Sequence, residues 1–372
     1  MSPPVIKVTL CIPTLDRSGA EKQLALLATR LPRDEFDVDV VALTRGGPYE
    51  TMLAEAGVPL TVLNKRLRFD PGALWKLKRH VRARRPDILH TWLFAANAYG
   101  RLVGGKKAGP KVVVSERCVD SWKSGWQHWI DRQRIARTAC LVGNSQSVVD
   151  FYVDRGFPQE RTRVIFNGIE GPEPAPIDRP AALQALGIPA NAHIVGFVGR
   201  LAKQKQVKDL IWGIELLHQI DDRVHLVLVG DGPERRELEA FARQAYLEQR
   251  VHFLGHRDDV GQLWPLFDVF WLASDFEGQS NSLMEAMAAG VPAVVSDIAP
   301  NRELVVDGET GFLAKPGDSA AFSQFADRIL ADEELARRLG GASRERMREH
   351  FSVERMVEAH ARLYQDVVEA EG

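Results

Sequence analysis

Residues 269–297 read VFWLASDFEGQSNSLMEAMAAGVPAVVSD. A short apolar run, VFWLAS, ends in an acidic loop with one glycine; an apolar stretch of helical spacing follows, and then a second β-branched run, VPAVVSD. Strand, loop, helix and strand in that order form a βαβ unit, whose right-handed crossover makes the two strands parallel. Working outward, the unit recurs. RVHFLG, VHLVLVG and HIVGFVGR lie upstream of it, and the first half of the chain has its own set in VIKVTLCIP, FDVDVVAL, LTVL, DILHTW, KVVVSE and CLVGNS, each followed by a helix-compatible segment. Apolar strands alternating with amphipathic helices are those of parallel sheets covered on both faces. The expected fold is α/β, two doubly wound, Rossmann-like parallel-sheet domains facing a central cleft.

Between the two sets lies NGIEGPEPAPIDRP, 167–180, crowded with Pro, Gly and acidic residues, and the interdomain linker is expected from within it, at 173–186. A first domain is expected over 1–172 and a second over 187–352. The tail SVERMVEAHARLYQDVVEAE is helical by period over about 353–370 and comes after the second sheet is complete, so it caps its own domain or crosses back to the first. Length agrees with two domains: 372 residues, 45% hydrophobic and 26% charged, are globular values that exclude disorder and a wholly basic nucleic-acid binder. The net charge of −2 hides an asymmetry. Residues 1–170 carry 27 Lys and Arg against 17 Asp and Glu, a net of +10, which leaves −12 on the rest. LWKLKRHVRARR, 74–85, is a basic helix with Trp75 and Leu77 among the cations. It reads either as a solvated face or as a surface for anionic lipid headgroups or a phosphorylated acceptor.

Cys11, Cys118 and Cys140 are too few and too scattered for a disulfide framework or a C-x-x-C metal site. The N-terminal MSPPVIKVTLCIPTL reads as a strand rather than a signal peptide, and nowhere does an uncharged apolar run reach membrane-spanning length. A cytoplasmic protein is expected, with any membrane contact peripheral, at the inner face.

Chemistry belongs in the loops after the strands, where doubly wound sheets bind ligands. Glu277 and Glu285 stand eight residues apart, too far round to stack on one helical face, so they suit different roles. Glu277 is expected in the loop and Glu285 about one turn inside the helix, with Ser280 or Ser282 as N-cap. Ser282-x-x-Glu285 also fits a capping box; the alternative is a helix N-terminus facing a phosphate while the carboxylates accept hydrogen bonds from hydroxyls. GFVGRLAKQKQVKDLI, 196–211, places Arg200 and Lys205 after the strand ending in Gly199 and before a helix starting near Val207. A planar guanidinium and a mobile ammonium there suit a diphosphate; Lys203 and Lys208 read as solvated. Gly230 and Gly232 in LVGDGPER signal no more than a tight turn. In the first half, Ser18-Gly19-Ala20-Glu21 fits a capping box whose Gly19 admits close approach to the helix start. His90, ending PDILH, points to the same sheet edge, where a lone histidine serves as a hydrogen-bonded structural residue or as part of a site. H-E-x-x-H, a Walker loop and G-x-S-x-G are absent from the sequence. Asp37-Val38-Asp39 alternates like a strand with one wet face and is assigned no metal.

These motifs together resemble glycosyltransferase family 4, retaining, metal-independent enzymes with the GT-B fold. The resemblance covers nearly the whole chain and rests on Glu277-x7-Glu285, VGRLAKQK, LVGDGPER, VHFLGHRDDV, VIFNGIE and DGETGFL, with SGAEKQ and PDILHTW matching more loosely. It implies that Arg200 and Lys205 bind a nucleoside diphosphate and that Glu285 holds the ribose. Glu277 would bind donor-sugar hydroxyls, and the backbone of Gly278, Gln279, Ser280, Asn281, Ser282 and Leu283 would contact sugar and phosphate. His256 and Arg257 would lie beside the base, Gly19 would let the first loop close on phosphates or acceptor, and the tail helix would return to the first domain. Arg200, Lys205 and Glu277 are the residues expected to carry catalysis; His90, Glu116 and Arg117 are the acceptor-side candidates. The pattern departs from the family at Ser18, at Gln206 where a glycine often follows the lysine, at Trp92 in place of a second histidine, at Glu116 and Arg117 where a histidine is common, and at Ala299 and Pro300.

The implied activity is hexosyl transfer, with retention, from a nucleoside-diphosphate sugar, UDP-sugar by family frequency, to a saccharide or lipid-linked acceptor in cell-surface polysaccharide or glycolipid synthesis. No cofactor, metal or nucleic-acid partner is expected. Two alternatives stay open: a nucleotide-sugar 2-epimerase on the same fold, and a non-catalytic sugar-nucleotide-binding subunit.

Overall fold

The structure is a computed structural model that describes residues 4–105, 109–119, 125–171 and 177–370. The chain divides into two compact units, Met1–Gly168 with Phe351–Gly372, and Ile169–His350.

In the first unit the chain runs β1 (Ile6–Thr14), α1 (Gly19–Arg30), β2 (Phe36–Arg45), α2 (Tyr49–Glu55), β3 (Leu60–Val62), α3 (Pro71–Arg84), β4 (Ile88–Trp92), α4 (Leu93–Val103), β5 (Lys111–Glu116), α5 (Gly125–Gln133), β6 (Cys140–Gly143), α6 (Gln146–Val153) and β7 (Thr162–Val164). The strands form one parallel sheet in the order β3-β2-β1-β4-β5-β6-β7. Its near-continuous burial follows from the strand sequences, because alternate side chains meet helices on opposite faces. Val8, Leu10 and Ile12 of β1 pack with Leu24 and Leu27 of α1, whereas Cys11 packs with Val41, Leu89 and with Ala73 and Leu77 of α3.

The second unit runs α7 (Arg179–Ala185), β8 (His193–Val198), α8 (Val207–His218), β9 (Val224–Val229), α9 (Arg235–Gln244), β10 (Val251–Gly255), β11 (Val269–Leu272), α10 (Asn281–Ala289), β12 (Ala293–Ser296), α11 (Ala299–Leu304), β13 (Phe312–Ala314), α12 (Ser319–Ala331) and α13 (Glu333–His350). Its sheet is also parallel, ordered β10-β9-β8-β11-β12-β13. α14 (Val353–Glu369) then belongs to the first unit, where Val353, Met356, Val357, Leu363 and Tyr364 join the core beside β1.

Three local expectations change. β7 and β13 are additional strands of three residues each, outermost in their sheets. β3 is as short, but it shows in the sequence as the apolar, β-branched run LTVL, whereas β7 is interrupted by Arg163 and β13 holds no β-branched residue. Of the expected linker, 173–176 lie outside the described residues, while Arg179–Ala185 form α7, capped by Asp178 accepting from the Ala181 N–H. The alternation of Asp37 and Asp39 does not mark a wet face. Asp39 is buried and accepts hydrogen bonds from Thr9 Oγ1 at 2.7 Å and Arg84 Nε at 3.1 Å, with His80 Nε2 at 2.7 Å. A covered strand tolerates a carboxylate only when it is paired in this way.

Candidate functional site

In the second sheet, β8 and β11 are neighbours, but the chain leaves β8 for β9 on one side and β11 for β12 on the other. Loops that diverge from adjacent strands leave a crevice at their carboxyl ends, the usual ligand position in such sheets. Arg200 and Lys205 leave β8 at that point, and Glu277 leaves β11.

The two loops are tied together. The Asp275 N–H donates to the Gln204 carbonyl at 2.9 Å, Gln204 Nε2 donates to the Phe276 carbonyl at 2.6 Å, and Gln206 Nε2 donates to Asp275. Lys205 Nζ pairs with Glu277 Oε1, both side chains largely enclosed. Arg200 is exposed, and among the described residues its guanidinium has no hydrogen-bond or ionic partner. One cation is therefore neutralised within the protein, and the other is left to attract an anion. Gln206 caps α8 at φ +47, a left-handed conformation in which glycine is at ease and glutamine is strained; its side-chain bond to Asp275 holds it there. That conformation is the physical reason a glycine suits this position, and it makes the departure at Gln206 a constrained residue.

Gly230 and Gly232 do more than turn the chain. Gly230 has φ +128, and a Cβ there would lie 2.0 Å from the Gly199 carbonyl oxygen; a Cβ on Gly232 would lie 2.2 Å from that of Leu201. Only glycines let this turn press its backbone against 199–201 and so fix the loop that carries Arg200.

α10 starts where one of the two cap candidates put it, with Ser280 as N-cap accepting from the Leu283 N–H at 3.5 Å. Ser282 is therefore inside the helix, and Ser282-x-x-Glu285 is not a capping box. Asn281 and Ser282 are half-buried in the first turn and Leu283 is fully buried. Gly278, Gln279 and Ser280 are buried with Glu277, and Glu285 is half-buried along the helix. Glu277 and Glu285 thus occupy loop and helix, and the first-turn N–H groups and dipole of α10 favour negative charge beside Glu277 and Lys205. His256 and Arg257 follow β10 at the sheet edge. His256 faces Asp258 at 3.3 Å, and Arg257 makes a bidentate pair with Asp259, at 2.8 and 2.5 Å. Their loop abuts the glycine turn through Gly230 N–H donating to Gly255 at 2.7 Å.

In the first unit, Gly19 is exposed at the start of α1. The expected capping box is not formed: the Ser18 hydroxyl donates to Glu21 rather than accepting from the helix backbone, and Thr14 also donates to the buried Glu21 at 3.2 Å. His90 is a correction to the acceptor-side set. It is fully buried, with Nδ1 2.7 Å from the Tyr364 hydroxyl and Nε2 2.8 Å from Ser115 Oγ, and burial holds it neutral, its pKa well below the usual value. Its work is to anchor α14 to β4 and β5. Glu116 is likewise buried and accepts from Asn97 Nδ2 at 3.0 Å.

Arg117 differs. Its guanidinium lies 4.2 Å from the centre of the Trp92 ring, and Nη2 donates to Asn167 Oδ1 at 2.6 Å, while Nη1 is buried without a partner and no carboxylate pairs with it among the described residues. Burial lowers its pKa to about 9. Asn144, whose Nδ2 donates to the Arg117 carbonyl at 3.3 Å, also leaves Oδ1 unsatisfied. An unmatched buried guanidinium at the carboxyl end of β5 costs stability and suits an anion.

Two family models match the chain, Glycosyltransferase Family 4 over residues 17–170 and Glycosyl transferases group 1 over residues 178–346. An N-acetyl-alpha-D-glucosaminyl L-malate synthase of Bacillus anthracis is 31% identical over 235 residues, 63% of this chain, and the match spans 61% of that relative's length. A UDP-Gal:alpha-D-GlcNAc-diphosphoundecaprenol alpha-1,3-galactosyltransferase of Escherichia coli is 26% identical over 359 residues, 91% of each chain. The crystal structure of Anabaena HepE in complex with UDP and glucose is similar with a TM-score of 0.86 at 25% identity, over 97% of this chain and 100% of that one. With one model on each parallel-sheet unit, the chain belongs to glycosyltransferase family 4 and has the GT-B fold.

Proposed function

We propose that the chain moves a hexosyl unit, with retention, from a UDP-sugar bound at the second unit to a saccharide or lipid-linked acceptor in cell-surface polysaccharide or glycolipid synthesis. The observation that carries this reading is the placement of exposed Arg200 and the Lys205–Glu277 pair at the switch point between β8 and β11. UDP and glucose in the Anabaena structure, and the α-linked products in both relatives' names, support the donor class and the stereochemistry. The diphosphoundecaprenol in the galactosyltransferase's name supports a lipid-linked acceptor.

In this reading the diphosphate displaces nothing inside the protein except the Lys205–Glu277 contact. Lys205 turns to the phosphates with Arg200, and Glu277 is released to accept hydrogen bonds from the sugar. As the glycosidic C–O bond breaks, the negative charge developing on the diphosphate meets two cations and the N-terminal dipole of α10, and preorganised charge of this kind is the main catalytic contribution. The acceptor hydroxyl attacks the face the diphosphate leaves, and its proton passes to the departing phosphate oxygen. Glu285 is assigned the ribose, and Arg117 an anionic group on the acceptor.

A thermal-shift screen of nucleoside-diphosphate sugars tests donor binding, since a ligand held by the native state alone raises the melting temperature. UDP-sugars are expected to give the largest rise; a screen in which none does so would overturn the reading. Product formed from donor alone identifies an epimerase instead, and donor binding without transfer to any acceptor identifies a binding subunit. Because the cationic work is assigned to side chains, turnover is expected to be the same in EDTA as in magnesium, and its loss in EDTA would overturn metal independence.

A further inference from the structure

Within the first unit, residues 65–85 carry nine Lys and Arg against a single acid, Asp70. The fold also leaves three large apolar side chains of this stretch in solvent, Leu67 at 63%, Phe69 at 57% and Trp75 at 59% exposure. Single exposed apolar residues are ordinary, but three within nine positions among cations form a patch.

The helix geometry sorts these residues. α3 buries Ala73, Leu77 and Val81 at four-residue spacing. Trp75, Lys78, Arg79 and Arg82 recur at i, i+3, i+4 and i+7 and are all exposed, so one indole and three cations share an outward stripe. The Arg79 guanidinium lies 5.0 Å from the centre of the Trp75 ring. The loop before the helix is tied down. Asp70 caps α3 by accepting from the Ala73 N–H at 3.0 Å, its second oxygen accepts from the Arg66 N–H at 2.9 Å, and its own N–H donates to the Tyr99 hydroxyl at 2.6 Å. Leu67 and Phe69 are thus held outward on an ordered turn, and little further conformational entropy is lost when that turn is covered. Other cations of the stretch are already engaged: Arg84 with Asp37 and Asp39, Lys76 with the Leu63 carbonyl.

We propose that this surface docks the chain on an anionic lipid bilayer. Leu67, Phe69 and Trp75 enter the boundary between headgroups and acyl chains, and Arg66, Lys78, Arg79 and Arg82 meet the lipid phosphates. Apolar tips ringed by Lys and Arg match that boundary, where each cation near the surface adds about 1 kcal/mol. A nucleic acid would use the cations but leave the aliphatic Leu67, which has no π face to stack, in water. No helix among the described residues is long and apolar enough to cross a membrane, so the docking is peripheral. The surface is argued from its own residues; only its purpose, bringing the enzyme to a lipid-linked acceptor, rests on the proposed function.

Co-sedimentation of the full chain with vesicles tests it. Binding to phosphatidylglycerol-containing vesicles is expected, weakening with salt, with far less binding to phosphatidylcholine alone. The K78S/R79S/R82S variant is expected to lose on the order of a hundredfold in partition, and the L67S/F69S variant to lose binding at high salt, where the apolar contribution dominates. All these residues are exposed, so the variants should keep the wild-type melting temperature. Equal binding to both vesicle types, binding to neither, or variants that bind as the wild type does would overturn the proposal. Salt-dependent capture of an oligonucleotide, abolished by K78S/R79S/R82S in the absence of vesicle binding, would overturn it in favour of nucleic acid. Vesicle binding by a chain that shows no donor shift would leave the surface standing and remove the transferase reading, and the converse result would separate the two in the other direction.

Discussion

Lys205 and Glu277 are each enclosed and each neutralise the other, so neither can be removed without leaving an unpaired charge. Lys205→Ala and Glu277→Ala are each expected to lower kcat by on the order of 10²–10³-fold, the size typical of losing a group that stabilises transition-state charge. The two losses should be strongly non-additive in stability, with the double variant regaining part of the melting temperature lost by either single one. A near-normal kcat in either folded single variant, measured at saturating donor, would refute the assignment. Arg117 has the opposite character, a charge kept at a cost. Arg117→Met is expected to raise the melting temperature of the unliganded protein by about 2–4 °C for each kcal/mol recovered, and to reduce transfer to an anionic acceptor more than to a neutral one. A melting temperature no higher than wild type would show that the guanidinium is already satisfied.

Among the elements, the turn after β9 controls the loop after β8 through backbone contact alone. Gly230→Ala inserts a Cβ 2.0 Å from the Gly199 oxygen at a positive φ, and overpacking with backbone strain is expected to destabilise the second unit by about 3 kcal/mol. Donor affinity should fall with it because Gly199 and Arg200 must shift. A thermal-shift titration of Gly230→Ala checks both, and wild-type values would mean that the turn moves without disturbing the site. α14, held mainly by its apolar face, also carries a buried polar link. The Tyr364 hydroxyl is its polar contact with His90 in the middle of a buried apolar face, so Tyr364→Phe leaves His90 Nδ1 unsatisfied and is expected to cost about 1–3 kcal/mol in urea unfolding.

The whole molecule carries buried neutral histidines in both units. Burial lowers the pKa of His360 to about 3 and that of His225 to about 4, and it lowers His90 and His252 as well. In the unfolded chain these groups titrate near the ordinary histidine value of about 6.5. Below that pH the unfolded state binds protons that the folded state refuses, so stability is full near neutrality and falls as pH drops toward the folded-state values, by up to about 1.4 kcal/mol per pH unit for each histidine. Melting temperatures recorded between neutral pH and the His225 range should therefore decline steeply, and His360→Phe should flatten the decline. An unchanged slope in that variant would assign the acid sensitivity to other groups.

Periodicity by itself determined the α/β class and the recurrent βαβ order, because an apolar strand buried on both faces and an amphipathic helix have different and local signatures. It also placed Arg200, Lys205, Glu277 and Glu285 in loops and first turns, since strand ends are legible from where the apolar runs stop. The edge strands β7 and β13 were not legible, being held by neighbours rather than by their own three residues. Partnership was decided only by the tertiary structure. Lys205 meets Glu277, Gln206 meets Asp275, Gly230 meets Gly199 and His90 meets Tyr364 across long stretches of sequence. Whether a histidine is a ligand or a peg, and whether an arginine is matched or left wanting an anion, depends on burial and on through-space neighbours. The linear order of residues records neither.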